Sequence, residues 1–74
     1  MGAEAPRIAL AVDLGGTTFG LGLLDEHGVL LGHDSEPTPQ GVGGEAMLQH
    51  IARCALRLAA EKAPQATVVG LGIG

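Results

Sequence analysis

The chain has 74 residues, of which 46% are hydrophobic, and it carries a net charge of −4 at pH 7. This length allows one small hydrophobic core and excludes a second domain within the polypeptide. The basic residues form no cluster, so we expect no nucleic-acid partner, and no apolar run approaches the roughly 18 to 20 residues that a membrane helix requires.

Three strands are predicted in the first half of the chain. Residues 8–12 are continuously apolar, which predicts a short strand buried on both faces. After a glycine-rich turn, large apolar residues alternate with glycine over residues 18–24 and predict a second, antiparallel strand. The polar turn 25–28 closes on glycine and leads to a third strand over residues 29–34. The prediction is a three-stranded meander.

A helix and a fourth strand follow a loop rich in glycine and proline. Over residues 45–62 the apolar side chains, with Leu48 among them, recur at the spacing of one helical face, and Pro64 ends the predicted amphipathic helix. Alternation over residues 67–73 predicts a fourth strand, which the helical crossover can place parallel to an earlier one. The expected fold is α/β, in the order β-β-β-α-β, with a mixed sheet.

The segment D-L-G-G-T-T between the first two strands is the candidate site. Gly15 and Gly16 at the tip of a hairpin allow positive φ angles and a close approach of successive N–H groups to phosphate oxygens. Thr17 and Thr18 supply hydroxyl donors, and Asp13 is placed to hold Mg²⁺ through the metal's own waters. Aspartate, glycine and threonine are also ordinary turn residues, so local chemistry leaves an ordinary hairpin turn open.

The opening I-A-L-A-V-D-L-G-G-T-T-F-G-L-G-L-L-D-E-H-G-V-L-L resembles that of ROK (repressor, open reading frame, kinase) sugar kinases. D-x-G-G-T, D-x-x-G, the Pro-Thr-Pro loop at 37–39 and G-L-G-I-G at 70–74 occur in the order and spacing of that family. The resemblance covers nearly the whole chain. It implies an actin-like, ribonuclease H-like ATPase fold and a glucokinase-like transfer of the γ-phosphoryl of MgATP to a hexose.

The resemblance also implies roles for individual residues. Those that match the first phosphate loop, which contacts ATP and its metal ion, are Asp13, Gly15, Gly16, Thr17 and Thr18. Gly72 and Gly74 approach the sugar cleft by the same comparison. Many family members have Lys or Asn in place of Thr18, so one phosphate contact is absent here. The family's catalytic aspartate falls beyond residue 74, so we expect residues 1–74 to be an incomplete lobe without activity.

Two other functions remain open. ROK transcriptional repressors carry a winged helix-turn-helix ahead of the same sugar-binding domain, but here the first strand starts within about seven residues of Met1. Alternatively, the edges of an incomplete sheet pair with another copy, and we expect a homo-oligomer. The glycines of 70–74 also fit the start of a Rossmann fingerprint, but no helix or acidic ribose partner follows them.

The cysteine and histidine residues predict no metal cage. His27, His33 and His50 lack the spacing of zinc ligands, and Cys54 is expected to be a small core or boundary residue. A single cysteine forms no internal disulfide, and Met1 begins a segment without the basic and apolar regions of a secretory signal. We therefore expect a cytoplasmic protein.

Overall fold

The structure is a computed structural model that describes residues 5–74. Its elements follow the predicted order: β1 (Arg7–Leu14), β2 (Thr18–Asp25), β3 (Leu30–Pro37), α1 (Gly44–Lys62) and β4 (Thr67–Ile73). The α/β class is confirmed. The largest difference lies in β3, which continues three residues beyond the predicted end and includes Pro37. A proline is tolerated there because β3 is the outer strand of the sheet.

The four strands form one mixed sheet in the order β3-β2-β1-β4. Strand β2 is antiparallel to both β1 and β3, whereas β4 is parallel to β1, as the helical crossover predicts. Because β1 and β4 run in the same direction, their carboxyl ends meet at one edge of the sheet. The connection from β1 to β2 leaves from that edge.

Helix α1 covers one face of the sheet. The core consists of alternate residues of β1 and β2 packed against one side of the helix: Ile8, Leu10, Val12, Phe19, Leu21, Leu23, Ile51, Cys54, Ala55, Leu58 and Ala59. The prediction that β1 is buried on both faces is wrong, since Ala11 and Asp13 are exposed. The described residues contain a single helix, which leaves the second face of the sheet uncovered.

The buried side of α1 differs from the predicted side at one position. Leu48 is 56% exposed, and Met47 packs against the core instead. Residues 47, 51, 55 and 58 are three or four apart and so share one helical face, whereas Leu48 is displaced by about 100°. The prediction that Pro64 ends the helix is confirmed, because α1 stops at Lys62. Within the described residues, no helix has the length and apolarity needed to cross a membrane.

The turn between β2 and β3 is organised by one aspartate and one glycine. The Asp25 carboxylate accepts hydrogen bonds from the N–H groups of His27 at 2.8 Å and Val29 at 2.9 Å. Gly28 has a φ of 81°, which favours glycine. The Val29 hydrogen bond is the main cause that holds the pKa of Asp25 below its ordinary value of 3.8, against the raising effect of desolvation. The ionised Asp25 carboxylate therefore stabilises the turn above pH 3.8, and this stabilisation is lost in stronger acid as the carboxylate is protonated.

Candidate functional site

Residues 15–17, called here the β1–β2 loop, join the first two strands and are exposed to solvent. The turn is closed by a hydrogen bond from the Gly15 N–H to the Thr18 carbonyl at 3.0 Å. Asp13 precedes the loop within β1, and Thr18 is the first residue of β2. The structure therefore confirms the predicted hairpin.

The reason for glycine in the β1–β2 loop differs from the predicted one. Among residues 5–74, left-handed φ angles occur only at Gly28 and Gly41, so the expected positive φ at Gly15 and Gly16 is wrong. At Gly15 the requirement is steric, because a Cβ atom there would lie 2.7 Å from the Thr18 carbonyl oxygen. A Cβ at Gly16 would meet nothing within 4 Å, which leaves open space beside the backbone.

The three carbonyl groups of the β1–β2 loop all accept hydrogen bonds from residues 38–40. Thr38 donates from its hydroxyl to the Gly15 carbonyl at 2.9 Å and from its N–H to the Thr17 carbonyl at 2.9 Å. The side-chain amide of Gln40 donates to the Gly16 carbonyl, also at 2.9 Å. The acceptors of the loop are therefore occupied by the protein itself.

Two of the three backbone amide groups of the same loop are available to a ligand. Within the described part of the chain, the N–H groups of Gly16 and Thr17 donate to no protein acceptor. The hydroxyls of Thr17 and Thr18 likewise donate no hydrogen bond to a described residue. Successive backbone N–H groups with this freedom suit an anion, because they bring partial positive charge without a basic side chain.

Asp13 lies on the uncovered face of the sheet, directly opposite Gly20. Because Gly20 has no side chain, a shallow groove of about 360 Å³ lies beside Asp13. His33 and Asp34 of β3 also line this groove. Among residues 5–74 Asp13 makes no salt bridge, and Arg7 stands at the opposite end of the same strand. Asp13 is thus free to bind a cation.

Asp13 is the residue beside the loop that could hold a hydrated Mg²⁺. No three His, Cys, Asp or Glu side chains come together as a metal site among the described residues. Mg²⁺ usually keeps several waters and is bound through one or two carboxylates together with substrate phosphates. Asp13, beside a loop with two open N–H groups, offers one such carboxylate.

The end of β4 lies next to the site. Gly74 donates from its N–H to the Val12 carbonyl at 2.8 Å and accepts from the Leu14 N–H at 3.1 Å. Gly72 pairs with Ala11 in the parallel ladder. The structure therefore brings Gly74 to the sheet edge from which the β1–β2 loop leaves, and it places Gly72 farther back along β4.

Cys54 is a core residue, as predicted. It is 4% exposed, and its Sγ lies 3.7 Å from Nε2 of His50. The His50 ring in turn packs edge-on against Phe19, with 5.9 Å between ring centroids. The contacts of this pair are with the hydrophobic core, and neither residue is part of the β1–β2 loop.

Thr38, within the Pro-Thr-Pro loop, and Gln40 are the residues of this region to which the sequence analysis gave no role. The available signal was the position of Thr38 between two prolines, which restrict the backbone on either side. Their partners lie 23 and 24 residues away, so no local pattern reveals the contacts.

Comparison with protein-family models finds no match to this chain, and a search of curated proteins also finds no match. Residues 5–74 form an α/β domain with a four-stranded mixed sheet, one helix and an exposed glycine loop beside an unpaired carboxylate.

Proposed function

We propose that the chain is the N-terminal, phosphate-binding segment of a ROK-type, glucokinase-like sugar kinase that transfers the γ-phosphoryl of MgATP to a hexose. The observation that carries the proposal is the β1–β2 loop, in which the N–H groups of Gly16 and Thr17 are open while every loop carbonyl is occupied. Asp13 stands beside it as a free carboxylate. The ROK resemblance adds the ordered motifs along the chain.

The architecture supports the same proposal at the level of the fold. The order β-β-β-α-β, with one crossover helix and β4 parallel to β1, agrees with the first part of a ribonuclease H-like, actin-like ATPase lobe. By the ROK resemblance, the β1–β2 loop contacts the ATP phosphates and the end of β4 approaches the sugar cleft. Gly74 is next to the β1–β2 loop in this arrangement, where a hexose would approach the phosphates.

The residues of the site have separate parts in the proposed reaction. The Gly16 and Thr17 N–H groups bind phosphate oxygens, and the hydroxyls of Thr17 and Thr18 add donors. Asp13 would hold Mg²⁺ through the metal's waters, and the metal would neutralise charge that develops on the phosphates. In the transfer, a sugar hydroxyl oxygen bonds to the γ-phosphorus, the bond to ADP breaks, and the hydroxyl proton passes to a base.

That base is not assigned to any residue of this segment. Phosphoryl transfer requires groups on both sides of the nucleotide and sugar, held in one geometry. We therefore expect residues 1–74 to bind MgATP without phosphorylating any hexose.

Binding of ATP is expected to require Mg²⁺, and Asp13 is expected to be the reason. ATP without a metal is negatively charged, and the chain has a net charge of −4. The Asp13 carboxylate therefore repels metal-free ATP. Asp13→Asn should weaken MgATP binding by about tenfold, or about 1.4 kcal/mol. With EDTA present, the same variant should bind ATP at least as well as the wild type, because the repulsion is gone.

The measurement is a ¹⁵N NMR titration of the 74-residue chain with MgATP, with ATP plus EDTA, and with Mg²⁺ alone. Shifts of the Gly16 and Thr17 amides in MgATP are the expected result. Glu26→Gln is the matched control, since Glu26 is exposed in the turn at the opposite end of β2 from the loop. Unmoved loop amides at millimolar MgATP would contradict the proposal, as would equal effects of Asp13→Asn and Glu26→Gln.

Self-association is a second candidate function, and β4 favours it. All seven residues of this edge strand are exposed. Val68, Leu71 and Ile73 are 38%, 52% and 49% exposed, although they pair with the core residues of β1 and face the helix side of the sheet. An apolar edge strand of this kind invites pairing with another strand.

Size-exclusion chromatography with light scattering tests this expectation of a homo-oligomer. A mass above the 7.4 kDa of one chain at micromolar concentration is expected, and Leu71→Lys should return the mass to that of a monomer. Leu56→Lys, on the exposed side of α1, should leave the oligomer intact. A wild-type monomer throughout this range would rule out the association.

A further inference from the structure

We infer that Thr38 and Gln40 are positioning residues of the β1–β2 loop, which they hold so that its amides face a bound anion. The pair is called here the carbonyl clamp. The inferred role toward phosphate rests on the proposed function, whereas the effect on loop geometry does not. Three hydrogen bonds cross from residues 38–40 to three consecutive loop carbonyls.

Thr38 is the fixed part of the carbonyl clamp. It is the single buried polar residue in the described part of the chain, at 8% exposure. Pro37 and Pro39 flank it, so the backbone on both sides has little freedom. Its hydroxyl and its N–H lie 2.9 Å from the carbonyl oxygens of Gly15 and Thr17 and are held there by this restricted backbone.

Gln40 completes the carbonyl clamp from the surface. Its Nε2 donates to the Gly16 carbonyl at 2.9 Å and to the Thr38 carbonyl at 3.1 Å. Both acceptors are carbonyl oxygens, so the amide nitrogen must face them. Gly41 follows with a φ of 70°, a value that favours glycine, and turns the chain away after this contact.

Peptide geometry connects the occupied carbonyls to the open amides. In a planar trans peptide, the C=O of one residue and the N–H of the next point in opposite directions. The carbonyls of Gly15 and Gly16 point toward the carbonyl clamp, so the N–H groups of Gly16 and Thr17 point away from it. The Thr17 carbonyl also points toward the carbonyl clamp, so the Thr18 N–H points away from it. The clamp thereby sets the direction of the proposed phosphate donors.

Three variants test the carbonyl clamp in the 74-residue chain. Thr38→Val keeps the shape and the N–H but removes the hydroxyl, Thr38→Ser keeps the hydroxyl, and Gln40→Leu removes the amide. In ligand-free protein, Thr38→Val and Gln40→Leu should lower the ¹⁵N heteronuclear NOE of residues 15–17 and leave that of α1 unchanged. Thr38→Ser should retain the wild-type loop values. Thr38→Val and Gln40→Leu should each raise the Kd for MgATP by about fivefold.

Each outcome decides between the inference and its rivals. Wild-type loop order and affinity in both Thr38→Val and Gln40→Leu overturn the inference, and so do equal changes in Thr38→Val and Thr38→Ser. If Thr38→Val fails to fold, Gln40→Leu still decides, because the exposed Gln40 side chain supports no core. If the wild type does not bind MgATP, the proposed function fails, while the ligand-free loop measurement still tests the clamp.

Discussion

Gly15→Ala is expected to destabilise the protein and to disorder the β1–β2 loop, whereas Gly16→Ala is expected to leave the fold intact. The two glycines are adjacent and both exposed, but their surroundings differ. A Cβ at Gly15 would lie 2.7 Å from the Thr18 carbonyl oxygen, a distance that real Cβ atoms do not adopt. A Cβ at Gly16 would meet no atom within 4 Å.

The collision at Gly15 is with backbone and is therefore hard to relieve. The Thr18 carbonyl already accepts the Gly15 N–H at 3.0 Å, and the Gly15 carbonyl is held by Thr38, so a shift at either end breaks a hydrogen bond. Overpacking of this kind costs about 1–3 kcal/mol. Gly16 has no left-handed φ, so alanine at this position causes no backbone strain. Alanine also lowers the conformational entropy of the unfolded chain, which favours the folded state.

Urea unfolding of the two alanine variants measures this difference directly. The free energy of unfolding should fall by about 1–3 kcal/mol in Gly15→Ala and should be unchanged or slightly higher in Gly16→Ala. If MgATP binds as proposed, Gly16→Ala should weaken its binding, because the methyl group fills space beside the open amide. Equal stability of the two variants would contradict the steric role of Gly15.

Leu23→Ala is expected to unfold most of the protein at room temperature. Leu23 is 0% exposed in the second half of β2, and its side chain belongs to the core between the sheet and the helix. Truncation of a buried leucine to alanine costs about 2–5 kcal/mol, because transfer energy is lost and a cavity remains. A domain of this size has only about 3–5 kcal/mol of stability from its core, so the loss is comparable with the total.

Leu56→Ala is the matched control for the core variant. Leu56 lies on the outer side of α1 with 56% of its surface exposed, and alanine is at least as favourable as leucine within a helix. Far-UV circular dichroism during urea unfolding should show a near-native transition for Leu56→Ala and a largely unfolded baseline for Leu23→Ala. Similar midpoints for the two variants would contradict the assignment of the core.

Elements whose pattern is local were predicted closely from the sequence. The bounds of β4 agree with the prediction, and the helix begins one residue earlier than expected. The alternation of Phe19, Leu21 and Leu23 with glycine correctly predicted the buried side of β2. These features depend on a residue and its neighbours two to four positions away, which is the range that periodicity reports.

The candidate site was predicted in composition but not in mechanism. Glycine, threonine and aspartate grouped between two strands indicated the loop, yet glycine is compatible both with a positive φ and with close backbone approach. Only the coordinates distinguish these, and at Gly15 they show close approach. The phosphate-binding role itself stays a prediction that the MgATP titration tests.

By itself, the sequence determined the order of the elements, the turn at Gly28 and the location of the glycine loop, because each is encoded in consecutive side chains. The tertiary structure decided which face of β1 is covered and which carbonyls of the loop are occupied. Those properties depend on how many elements pack on the sheet and on Thr38 and Gln40, which reach the loop across 23 and 24 residues. Such contacts depend on the tertiary fold, and the periodicity of neighbouring residues does not predict them.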